Sequence, residues 1–129
     1  MLAVDTNVVV RLLTHDHESQ YRKSYRLFSK FEIFIPDTVI QETEWVLRYA
    51  YEFSPESICD AFERLFGMET VHIANSHAVA QAIEWHRDGL DFSDALHLAN
   101  SQECDALYSF DARFVKTAKG RSKCSVMRP

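Results

Sequence analysis

The stretch Leu2-Ala3-Val4-Asp5-Thr6-Asn7-Val8-Val9-Val10 sets an acid in the middle of an apolar run that continues through Leu13. A short apolar run at this position predicts a buried strand. A carboxylate inside it is costly unless a charge or a hydrogen-bond donor meets it. Asp5 is therefore expected at the strand's end, where the chain turns. Three more acids, Glu42, Asp94 and Asp111, stand where they are expected to join it in one site.

The rest of the chain alternates between two periodicities. Residues 2–5 read as a strand, and residues 7–13 as a helix on Val8, Val9, Leu12 and Leu13, with Asp5, Thr6 or Asn7 as its cap. Residues 16–31 place Tyr21, Tyr25, Phe28 and either Leu27 or Phe31 on one helical stripe. Residues 32–35 form a strand closed by Pro36, and Pro36-Asp37 opens a helix running to about Tyr51. Ser54-Pro55-Glu56 starts another helix, expected to end at Gly67 in left-handed geometry. Residues 69–73 alternate as a strand, and Asn75 or Ser76 caps a helix ending near Gly89. A helix over 91–103, a strand over 106–109, a helical turn from Asp111 and a strand over 124–127 complete the pattern. Strands alternating with helices predict an α/β fold with a central, mostly parallel sheet, in a single domain over residues 1–129.

In such sheets ligands sit beyond the carboxyl ends of the strands. Asp5 ends the first strand, Asp111 follows the strand at 106–109, and Asp94 lies in the first turn of the preceding helix, so all three are expected at one edge. Glu42 and Glu44 border the apolar stripe of the third helix on opposite sides, and periodicity alone does not choose between them. Taken singly, Asp5 and Asp111 also read as helix caps, and Asp91 with Asp94 as a capping pair. Taken together, four converging like charges must share protons or bind a hard cation. The chain shows no spaced Cys/His cluster, and oxygen donors favour Mg²⁺ or Mn²⁺ over Zn²⁺. His15, His17, His86 and His97 lack ligand spacing and read as structural or surface residues.

Composition narrows the class further. A hydrophobic content of 47% supports a packed core and excludes a disordered chain. All 19 acids and 8 of the bases fall within residues 1–112, net −11, while residues 113–129 hold six bases and no acid, net +6. An acidic body with a basic end is not the footprint of a tight duplex binder, though it permits local phosphate contact. The first charge is acidic, so no signal peptide is expected. No apolar run approaches the ~20 residues of a membrane span. Cys59, Cys104 and Cys124 are few and far apart, which suits a reducing cytoplasm. Aromatic residues crowd residues 21–66, either as core or as an exposed patch for a second copy or a partner helix.

Leu2-Ala3-Val4-Asp5-Thr6-Asn7, Glu42 in the third helix, Phe92-Ser93-Asp94-Ala95-Leu96 and Ser109-Phe110-Asp111-x-x-Phe114 together resemble the PIN-domain pattern. Their order and spacing are similar to those of VapC-type toxins of bacterial and archaeal toxin–antitoxin pairs. The resemblance implies a three-layer α/β/α fold and a divalent-metal-dependent ribonuclease. It also implies a homodimer and a cognate antitoxin occupying the active-site groove. Carried over by residue, Asp5, Glu42, Asp94 and Asp111 match the acidic, metal-binding and catalytic site. Thr6 or Asn7 and Ser109 match its polar neighbours, and Asp91 is an additional acid beside it.

On this reading the carboxylates hold Mg²⁺ or Mn²⁺ for hydrolysis of an RNA phosphodiester, and Arg11, Arg113 and Lys116 are candidates for the flanking phosphates. Two alternatives remain. An aspartyl-phosphate phosphatase or receiver-like protein needs a second acid near the nucleophile and a later Lys, and Asp5-Thr6-Asn7 lacks the acid two residues on. A non-catalytic module would use the acidic groove to accept a basic side chain from a partner.

Overall fold

A computed structural model describes residues 1–129, which divide into two compact units, Met1–Ala74 and Asn75–Pro129. The chain is a helix-rich α/β protein in which every strand pairing is parallel.

The first unit contains β1 (Leu2–Ala3), α1 (Thr6–Thr14), α2 (Glu18–Lys30), β2 (Ile33–Phe34), α3 (Asp37–Tyr49), α4 (Pro55–Phe66) and β3 (Val71–His72). Its sheet runs in the order β1-β2-β3, with Leu2 opposite Ile33 and Ile33 opposite Val71. Parallel neighbours need long crossovers. The helix pair α1–α2 supplies the first and α3–α4 the second. Ile33 and Ile35 on the central strand segment are fully buried, as are Ile40, Leu47 and Ile58 from the helices. Each such side chain contributes about 1.5–3 kcal/mol on leaving water.

Two local expectations are corrected in this unit, and the two acids of α3 are told apart. The strand at the N-terminus is not buried along its length: Leu2 and Ala3 are exposed and burial begins at Val4. As the outer strand of a three-stranded sheet, β1 has a ladder neighbour on one side only. Gly67 ends α4 with right-handed geometry, at φ −79°, not in the left-handed region. A Cβ there would lie 3.0 Å from the Glu63 carbonyl oxygen, a tight approach that glycine avoids. On α3 the two acids that periodicity left equivalent part company. Glu44 is buried and accepts from Arg48 Nε at 2.8 Å and Nη2 at 3.2 Å, while Glu42 is exposed.

The second unit contains α5 (Ser76–Arg87), α6 (Phe92–Ala99), β4 (Ala106–Tyr108), α7 (Ala112–Ala118) and β5 (Ser125–Met127). β4 and β5 form their own two-stranded parallel sheet, Leu107 facing Val126. Asn75 caps α5 by accepting from the Ala78 N–H, and Gly89, at φ +106°, turns the chain toward α6. His86 is a core residue: its Nδ1 meets the Leu90 carbonyl at 2.7 Å and its ring lies edge-on to Phe92. α6 stops at Ala99, short of the expected 103, because side chains take over its last carbonyls. The Ser101 hydroxyl takes the His97 carbonyl while the Ser101 N–H turns to Leu98, the Gln102 amide also donates to Leu98, and Asn100 adds its side-chain amide to a Leu96 carbonyl that already accepts the Asn100 N–H.

Candidate active site

The expected acids sit at helix starts or within the first turns of a helix, and the reason is local. Asp5 leaves β1 in an extended conformation and caps α1, accepting from the Val8 N–H. Capping with a carboxylate satisfies an orphan donor and places negative charge at the positive end of the helix. Thr6, the first residue of α1, is buried, and its hydroxyl donates to Glu42 Oε1. That bond joins α1 to α3, fixes the Glu42 carboxylate, and selects Glu42 over Glu44 as the acid beside Asp5-Thr6. Asn7 follows on the exposed side of α1.

The second unit repeats the device twice. Asp91 caps α6, accepting from the Asp94 N–H at 3.2 Å. Asp111 caps α7, accepting from the N–H groups of Arg113 at 3.0 Å and Phe114 at 3.2 Å. Ser109 Oγ accepts in turn from the Asp111 N–H at 3.0 Å, which sets the approach to that cap. Asp94 is half-buried, and its carboxyl titrates above the ordinary carboxylate range. Burial is the main cause, followed by the like charges of Asp91 and Asp111, with His97 partly offsetting them. Three acids of this unit therefore feel one another. His97, expected to be structural or on the surface, stands three residues after Asp94 on the same helix face, a spacing that signals its proximity.

The expected cations are arranged differently from one another. Arg113 and Lys116 are exposed on α7. Arg11 is committed: its Nε donates to Gln20 at 2.6 Å, and its Nη1 to Asp16 at 3.2 Å and to the Tyr51 hydroxyl at 3.0 Å. It ties α1 to the start of α2 and would meet a phosphate only through its remaining amino group.

The donor chemistry in each unit suits a hard divalent cation, since Asp5 and Glu42 in the first and Asp94 and Asp111 in the second offer only carboxylate oxygens. Asp91 and Asp111 raising Asp94 is the repulsion that such a cation relieves. The side chains as placed do not form a ready ligand shell: no group of three or more His, Cys, Asp or Glu is arranged to hold a metal ion.

A family model of the PIN domain matches residues 2–120, nearly the whole chain and all the residues above. The chain belongs to the PIN-domain family. The solved structure of Mycobacterium tuberculosis VapC20, titled a sarcin-ricin loop cleaving toxin, aligns with a TM-score of 0.46 at 20% identity, covering 100% of both chains. A search of curated proteins returned no match. No helix is long and apolar enough to cross a membrane.

Proposed function

We propose that this chain is a metal-dependent endoribonuclease of the VapC toxin type, cutting RNA by hydrolysis of a phosphodiester bond. Membership of the PIN-domain family, whose members are generally nucleases, carries the reading. The acids at the starts of α1, α6 and α7, with Glu42 tied to Thr6, support it.

In this reading Asp5, Glu42, Asp94 and Asp111 act together as ligands for Mg²⁺ or Mn²⁺. When bound, the ion lowers the pKa of a coordinated water and stabilises charge on the leaving oxygen. Thr6 holds Glu42 in one orientation through its hydroxyl. Ser109 holds the turn that presents Asp111. Asp91 keeps Asp94 in the first turn of α6 and adds negative charge beside it. Asn7 stands next to Asp5-Thr6 as a further hydrogen-bonding group. Arg113 and Lys116 meet the phosphates flanking the cut, with Arg11 in a lesser part. Single-stranded or looped RNA is the substrate class, because its bases and backbone are accessible. The cognate antitoxin, a homodimeric state, a single domain over 1–129 and a cytoplasmic location belong to the same proposal.

The test is incubation with total RNA, with and without Mg²⁺, comparing the unaltered chain with Asp5→Asn and Asp94→Asn. Cleavage that needs Mg²⁺ and disappears in both variants, whose circular dichroism stays unchanged, is the expected result. Cleavage surviving excess chelator, or equal cleavage by either variant, overturns the proposal.

A further inference from the structure

The second unit carries a groove of about 500 Å³ between α7 and β5, away from the acids at the starts of α6 and α7 in sequence and lining. Val115, Ala118 and Lys119 line one side, and the consecutive residues 124–128 the other. Successive strand residues face opposite ways. A groove touched by all of 124–128 therefore runs along the edge of β5. That edge is open, since β5 pairs with β4 alone. The Cys124 carbonyl already accepts from the Ser122 hydroxyl; the other outward N–H and C=O groups of the strand are a template for another extended chain.

The chemistry of the groove says which chain. Val115, Val126 and Met127 offer apolar seats, Met127 being 46% exposed. Lys119 and Arg128 are exposed on the rim, and residues 113–129 hold six bases and no acid. Two copies of this edge would bring Lys123 and Arg128 of each against the other, so the charge discourages self-pairing and favours an acidic strand. An RNA strand would bring the complementary charge too. It would also need flat aromatic surfaces for its bases, and none of the lining residues is aromatic.

We propose that the α7–β5 groove takes an extended peptide of a partner protein, one with carboxylates alternating with apolar side chains, added as a strand beside β5. The main chain supplies the pairing, the apolar residues fill the groove floor, and the acids meet Lys119 and Arg128. This inference does not rest on the ribonuclease reading.

The probe is the blocked peptide Val-Asp-Val-Asp-Val-Asp-Val, titrated into the full ¹⁵N-labelled chain and followed by amide shifts and hydrogen exchange. Saturable binding is expected, with shifts centred on residues 115–128 and slowed exchange along β5. Lys119→Glu with Arg128→Glu should weaken binding about tenfold or more. Alternate N-methylation of the peptide should abolish it. No shift at about millimolar peptide, shifts elsewhere, or indifference to the two substitutions overturns the proposal. Tighter binding of an oligouridylate at the same residues overturns it in favour of nucleic acid.

Discussion

The Thr6 hydroxyl donates to Glu42 Oε1, so the first residue of α1 fixes an acid on α3 that lies 36 residues further along the chain. A carboxylate held this way presents its other oxygen in one direction. Thr6→Val removes the donor and keeps the shape, whereas Thr6→Ser keeps the donor. Thr6→Val should lower kcat for RNA cleavage about tenfold or more, with Thr6→Ser near the parent rate. Equal losses in both variants would show that the methyl group, not the hydroxyl, matters.

Asp94 gives the chain an unusual pH dependence. Its folded-state pKa is raised, first by burial and then by Asp91 and Asp111. A raised carboxyl binds its proton more tightly when folded. The penalty for ionising it is absent below the unfolded value and grows as pH rises through the folded one. Metal-free Asp94→Asn should therefore melt higher than the parent near pH 7, by about one to three degrees, with the gap closing toward pH 4. Thermal melts across that range with a chelator present check this.

Acid should act in the opposite direction at Asp16. Hydrogen bonds from Tyr51 and Thr14, then the charge of Arg11, hold its carboxyl below the ordinary range. That stabilisation is present above the unfolded pKa and is lost as pH falls through the folded one. Tyr51→Phe removes the 2.6 Å bond to Asp16 Oδ2, so its stability should fall less steeply below about pH 4 than the parent's.

The Glu44–Arg48 pair bears on stability, not on chemistry. Glu44 is fully buried, and Arg48 is its ion-pair partner at 2.8 Å. Arg48→Ala strands a buried charge and should cost about 3–5 kcal/mol in denaturant unfolding. Replacing both, as Glu44→Leu with Arg48→Met, should recover most of that loss. A double variant as unstable as the single one would contradict this account.

Element type was legible in the sequence because the helices announce themselves at their starts. Ser54-Pro55, Asn75, Asp91 and Asp111 all cap where their side-chain chemistry places them. Element ends were less legible. The strands shrink to two or three residues, and α6 is cut short by Asn100, Ser101 and Gln102, whose reach back to the helix carbonyls leaves no mark in hydrophobic periodicity. The choice of Glu42 over Glu44 depended on which face met Thr6 and which met the core, a tertiary fact that a stripe of apolar residues cannot carry. Arg11 is held by Asp16 and Gln20 nearby and by Tyr51, which lies 40 residues away, and helical periodicity announces none of these bonds. The strand pairing divides into two sheets, one per unit, where the alternation of elements suggested one.

That the four carboxylates serve one metal site is tested most directly by titrating Mn²⁺ into the ¹⁵N-labelled chain and following paramagnetic broadening. Amides at Asp5, Glu42, Asp94 and Asp111 should broaden together with a single midpoint and recover when Mg²⁺ is added in excess. Broadening confined to Asp5 and Glu42 or to Asp94 and Asp111, or none up to about millimolar Mn²⁺, would contradict it.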